Sequence, residues 1–404
     1  MGQPRIVQPG PQGGLLADEP DFSIVLGGPL YQLYLRTRLA RPPLELLIRR
    51  VLAVSGICWL PLLALAAAEG HVTGGVTVPF LRDPEVHIRF LIALPLLIAT
   101  EVYAHQRMTA IVRQFLDRGV IASQDKARFE KIVVSEWSLR NSVMVELLLL
   151  VLVFTIGYWI WRQSLTLNVP TWYQVNRGAG LSLTAAGWFY AFISLSIFRF
   201  ILLRWYFRLF VWYRFLWQVG AMPLHFNLFH PDRAGGLGFL SDSTLALAPV
   251  FVAQTTLVAG TIWNSILYEG ARLTGFRLEI AGMLVFAVIA LVLPLGFFAV
   301  QLEGARRLAK RQFGILASHY VDDFHRKWIE GGVGGGEPLL GTPDIQSLAD
   351  LANSFTVVSQ IRLVPISKEI LVRLILVIAP PLFPLTLTMI PLEEVVRKLF
   401  KLVF

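Results

Sequence analysis

The chain has a single cysteine, Cys58, among its 404 residues. One cysteine excludes a disulfide within the chain and any cysteine-based metal motif. Charge is scarce too: Asp, Glu, Lys and Arg make up 16% of the residues, against about 25% in a typical soluble domain. A surface that faces lipid requires such a deficit, because each charge at mid-bilayer costs a few kcal/mol or more. Signature motifs are missing as well. There is no GxSxG, no HExxH, no Walker sequence and no dinucleotide fingerprint, so the sequence supplies no catalytic residue and no cofactor is expected. Residues 1–43 contain no apolar stretch suited to a cleavable signal. Ile6 breaks the myristoylation pattern that Gly2 would begin. No internal repeat is visible, which argues against an inverted-repeat transporter.

What the chain does have is apolar length. Residues 51–68, 88–106, 142–161, 178–203, 243–268, 280–302 and 374–391 are each apolar over most of their extent. A bilayer core of roughly 30 Å takes about 20 residues of helix to cross. The expected fold is therefore all-α: a polytopic integral membrane helical bundle of about seven transmembrane helices. The last run contains Pro380, Pro381, Pro384 and Pro391, so six spans plus a re-entrant segment is the alternative.

Basic residues set the topology. Arg36, Arg38, Arg41, Arg49 and Arg50 precede the first run. Arg107, Arg113, Arg118, Lys126, Arg128, Lys131 and Arg140 lie between the second and third. Arg204, Arg208, Arg214 and Arg233 follow the fourth, and Arg306, Arg307, Lys310, Arg311, Arg326 and Lys327 follow the sixth. The intervening connections carry only pairs such as Arg82 and Arg89, Arg162 and Arg177, or Arg272 and Arg277. This alternation predicts a cytoplasmic N-terminus in a bacterial inner (plasma) membrane. It also accounts for the net charge of +9 through anionic headgroups of membrane lipids rather than nucleic acid, which is not an expected partner.

The expected organisation follows. Residues 1–43 form a flexible cytoplasmic segment. Residues 44–330 form spans 1–6, with cytoplasmic helices at 107–140 and 303–330. A glycine-rich linker occupies 331–343. Residues 344–404 hold a short cytoplasmic helix capped by Asp344, the seventh span and an amphipathic C-terminal helix.

Four constellations carry potential chemistry. Glu101 and Glu146 each lie about six residues inside a run, roughly 9 Å deep at 1.5 Å per residue. Arg199 and Arg204 lie at a comparable level, and His105 follows Glu101 by one turn. Such a cluster serves as a cation or proton relay or a gate, or else as a structural salt bridge or a set of side chains snorkelling to the headgroups. The spacing of Arg199, Arg204, Arg208 and Arg214 lacks the regular three-residue repeat of a voltage sensor. The segment 223–243 crowds His225, His230, Asp232 and Arg233 beside Gly235 and Gly236, an arrangement suited to an anion or substrate loop. His319 and Asp323 share a helix face after the sixth run and, with His230 and Asp232, are the candidate metal ligands. In the fifth run Gln254, Thr256 and Asn264 make a polar face that lines a cavity or packs helices. The same face would serve as a subunit interface in a homo-oligomer.

The leading expectation is a channel or transporter for an ion or small solute. The alternatives are a membrane-embedded enzyme acting at the cytoplasmic surface on a lipid-linked or phosphate-bearing substrate, and a membrane scaffold or regulator.

Overall fold

The computed structural model describes residues 23, 27–41, 44–164, 169–176, 181–330 and 342–389. Ten helices are labelled here in chain order: α1 (Pro29–Arg36), α2 (Leu47–Ala68), α3 (Pro84–Asp117), α4 (Lys126–Arg140), α5 (Val143–Ser164), α6 (Ala185–Gly220), α7 (Gly238–Glu269), α8 (Leu273–Trp328), α9 (Pro343–Ser359) and α10 (Lys368–Met389). Two strands, β1 (Gln174–Asn176) and β2 (Leu181–Leu183), pair antiparallel with Val175 opposite Ser182. The all-α class holds, with this hairpin as a small addition.

Six of the helices are long and apolar enough to cross a membrane: α2, α3, α6, α7, α8 and α10. A seventh candidate is the pair Ser123–Arg140 and Val143–Thr155, bent by 44° at the break between them. Helix α7 is the centre of the bundle, with 67% of its most apolar window buried, against 22% for α10 at the edge. The outer helices keep their leucines outward. Ile48, Leu52 and Leu60 on α2, Met144, Leu147 and Leu148 on α5, and Val285 and Ile289 on α8 are all exposed. Water would penalise such a surface, whereas hydrocarbon does not.

Proline-rich α10 runs from end to end along α7 rather than turning back. Its start follows Arg362, whose N–H donates to the Arg233 carbonyl at 2.7 Å. At its middle, Thr255 Oγ1 donates to the Ile378 carbonyl at 2.8 Å. Near its other end, Leu382 and Leu385 pack with Ala259, Ile262, Leu273 and Phe276. Those prolines produce short 3₁₀ turns at Pro380–Leu382 and Leu387–Met389 without reversing the path. Helix α7 satisfies the freed Ile378 carbonyl, as apolar surroundings demand.

Several sequence expectations need correction. The 1–43 segment is not uniformly flexible: α1 forms with Pro29 at its first turn, and Tyr34 is buried in the core. Its eight residues are too short to stand out as an apolar run. The described part of the fourth run begins with strand β2, and helix begins only at Ala185, where Thr184 Oγ1 accepts the Gly187 N–H at 3.0 Å. Asp344 does not cap α9. Pro343 sets that start, and the Asp344 carboxylate turns to α8, accepting from Lys327 Nζ at 2.8 Å and Trp328 Nε1 at 3.0 Å. The expected linker core 331–341 and the amphipathic tail 392–404 lie outside the described residues.

Candidate functional site

Four helices and a strap converge on one buried set of charges. Glu101 on α3, Glu146 on α5, and Arg204 and Arg208 on α6 meet Arg50 from the first turn of α2. Their exposures are 5%, 8%, 6%, 4% and 0%. Glu101 is the hub. Its Oε1 accepts from Arg208 at 2.9 Å and lies 3.9 Å from Arg204, and its Oε2 lies 3.6 Å from Arg50. Glu146 Oε1 takes Arg204 at 3.1 Å. Arg208 also stacks over the Trp205 ring at 4.7 Å. That indole donates to the Leu97 carbonyl at 3.0 Å and so pins α6 to α3.

The strap is the chain just before and within α1. Glu146 Oε2 accepts the Leu30 N–H at 3.0 Å, and Asn141 Oδ1 accepts the Gly28 N–H at 3.1 Å. Arg204 reaches the Gly27 carbonyl at 3.5 Å, and Arg140 donates to the Ser23 carbonyl. Gly28 has φ 85°, and a Cβ on it would stand 2.8 Å from Glu146 Oε1. Only glycine allows both that backbone angle and that approach. Tyr34 closes the set, with Arg50 5.6 Å from its ring centre. Burial, reinforced by the Glu101 charge, pushes the Tyr34 phenol up, so it stays protonated.

The structure thus unites Glu101, Glu146 and Arg204, as their depth along the runs predicts, and adds Arg50 and Arg208. Arg199 does not join. It is nearer Arg89 and Tyr190, toward the other end of α6. Five positions turn a helix by about 140°, whereas four turn it by about 40°. The i, i+4 pair Arg204 and Arg208 was therefore the signal that sequence depth alone overlooked. His105 is buried with its Nδ1 unpartnered.

A second polar network, unsuspected from sequence, lies at the opposite end. Asp83 Oδ1 accepts from the Glu85 N–H at 3.0 Å and from Asn264 at 2.9 Å, and its Oδ2 accepts from the buried Trp172 indole at 2.8 Å. Arg89 bridges Glu85 and the Tyr190 hydroxyl. Both Arg89 and Tyr190 sit in π-helical turns, Ile88–Ala93 and Tyr190–Ser194. Asn264 is thus a tie between helices, not a cavity lining. Gln254 accepts from Tyr206 at 2.8 Å, inside the bundle. Of the polar face on α7, Thr256 lines an open apolar crevice of about 1070 Å³, with Leu91, Ile92, Trp263, Pro381 and Pro384.

In the loop between α6 and α7, Asp232 organises the glycines. Its carboxylate accepts from the N–H groups of Ala234 at 2.8 Å, Gly236 at 3.2 Å and Gly238 at 2.8 Å. The N–H groups of Gly236 and Gly238 are therefore filled by a carboxylate of the chain's own. His230 Nδ1 is 3.1 Å from Asp232, Gly235 packs against Phe226, and His225 is exposed. Arg233 adopts a positive φ of 51°. His319 and Asp323 are exposed on α8, Asp323 paired with Arg326. Among the described residues no three His, Cys, Asp or Glu side chains converge as a metal site, so His230, Asp232, His319 and Asp323 do not form one set.

No family model, no curated protein and no solved structure matches this chain.

Its functional reading therefore rests on geometry alone. Charged side chains buried between apolar helices are expensive and need a compensating role. The set around Glu101 provides carboxylates and guanidiniums that an ion can exchange with, one layer below a short strap.

Proposed function

We propose that this is an integral membrane protein that moves a small ion across the inner membrane, with the Glu101 cluster as the station through which the ion passes. The observation that carries this reading is the burial of five charged side chains between helices long and apolar enough to cross a bilayer. A purely structural role would be served as well, and more stably, by apolar packing. In this reading α5 supplies the seventh span, and α4 bends away from it at the cytoplasmic side. The basic ends of the helices face the cytoplasm, and the strap 27–36 covers the cytoplasmic mouth. The first experiment is ion flux into proteoliposomes made from the purified chain. Flux above that of empty liposomes supports the proposal; none, for any common cation or anion, removes it.

A second reading has an observation of its own. A polar pocket of about 470 Å³ lies beside the α6–α7 loop, lined by Arg118, His230, Asp242, Arg362, Ser367 and Glu369. It suits a phosphate-bearing substrate at the cytoplasmic surface. Binding of inorganic phosphate that is lost in His230→Ala would favour an enzyme or a binding protein over a transporter.

A further inference from the structure

We infer that the ion received by the Glu101 cluster is a small inorganic anion, and that Arg50 is its principal ligand. This rests on reading the cluster as an ion station.

The argument is one of accounting for donors and acceptors. Glu101 Oε1 is engaged by Arg208, Glu146 Oε1 by Arg204, and Glu146 Oε2 by the Leu30 N–H. The remaining oxygen, Glu101 Oε2, stands 3.6 Å from Arg50, beyond a hydrogen bond. Arg50 is fully buried, yet among the described residues its Nε and both Nη atoms have no hydrogen-bond partner. A guanidinium carries five N–H donors and stays charged at any physiological pH. It cannot escape the cost of burial by losing a proton, as a lysine would. It cannot snorkel either, because no part of it reaches the surface.

Charge points the same way. Among the described residues the cluster sets Arg50, Arg204 and Arg208 against Glu101 and Glu146, an excess of one cation. Arg140, which holds the Ser23 carbonyl, adds positive charge nearby. A cation entering here would meet that excess, and three of the four carboxylate oxygens already hold an arginine or a backbone donor. An anion would meet Arg50's unused donors. Arg50 has no accessible surface and lies against Tyr34, so the proposed ligand is small, of the size of chloride or nitrate.

The test uses the full-length protein in detergent at constant ionic strength, with chloride replacing gluconate. Wild type should be stabilised saturably. At ten times Kd its unfolding constant falls about elevenfold. Arg50→Met should lose that dependence while unfolding in gluconate no more readily than wild type. Should Arg50→Met fail to fold, equilibrium dialysis of radioactive chloride against wild type decides instead, with saturable stoichiometric binding expected. No chloride dependence and no saturable binding in wild type would overturn the inference. So would an equal chloride dependence in Arg50→Met. The flux assay separates the two claims. Potassium or proton flux without anion binding sinks the anion and leaves the transport reading standing. Saturable anion binding without flux of any ion sinks transport and leaves the site.

Discussion

Two polar layers interrupt the apolar bundle, and they are built on opposite principles. At the hairpin end, Asp83 is saturated: backbone N–H groups, Asn264 and Trp172 all donate to it. Arg89 there is shared between a carboxylate and a phenol. At the basic end, Glu101 faces three arginines at graded distances, 2.9, 3.6 and 3.9 Å, and the Arg50 guanidinium has no hydrogen-bond partner among the described residues. A layer centred on a hydrogen-bonded carboxylate ties helices together. An under-satisfied one holds a local cost that a ligand can relieve.

The contrast can be broken by mutation, and the largest effect should come from its hub. Glu101→Gln strips the charge from a carboxylate facing three buried guanidiniums. It should destabilise the protein by about 3–5 kcal/mol, read as a lower midpoint of denaturant unfolding in detergent. Asp83→Ala should cost about 3 kcal/mol, because it leaves the Trp172 indole unpaired, removes the shorter Asn264 hydrogen bond and uncaps the start of α3. Unlike the basic-end variants, it should leave any anion dependence of stability untouched, so a changed anion response in Asp83→Ala would erase the distinction between the layers. Gly28→Ala should loosen the strap while sparing the fold. Protease cleavage before α1 should accelerate with little change in the unfolding midpoint, and an unchanged cleavage rate would show that the close approach to Glu146 is dispensable.

The smallest effect concerns the α8–α9 hairpin, remote from both layers. Hydrogen bonds from Lys327 and Trp328 hold the Asp344 carboxyl below its usual value. A group whose pKa is lower in the folded state stabilises above its unfolded pKa, about 3.9, and loses that contribution as pH falls through the folded value. Wild type should therefore lose slightly more stability than Asp344→Asn on acidification through that window. Parallel pH profiles would remove the Asp344 tie from the account.

The sequence carried the helices well because their signal is long: each apolar run of about 20 residues averages over many side chains. It carried three of the five residues of the basic-end cluster, Glu101, Glu146 and Arg204, since a charge deep in an apolar run stands out by itself. Arg50 was read as a topology marker just outside the first run, and nothing local distinguishes a buried arginine at a helix start from a solvated one. Arg208 counts, like Arg50, among the basic residues that mark the end of a run. The Asp83 layer was hidden for a different reason. Asp83, Trp172 and Asn264 come from three distant segments, and only packing of α3 against α7 brings them together. The strap escaped notice because eight residues make no periodic pattern against a glycine- and proline-rich background.

The central claim is that an ion passes the Glu101 cluster. The most direct test is flux into proteoliposomes of wild type and Glu146→Gln at two pH values. The substitution keeps an acceptor for the Leu30 N–H and removes the charge that holds Arg204. The account predicts folded Glu146→Gln protein with flux altered by about tenfold or more, equivalent to about 1.4 kcal/mol in a barrier. Unchanged flux in a folded variant would contradict it.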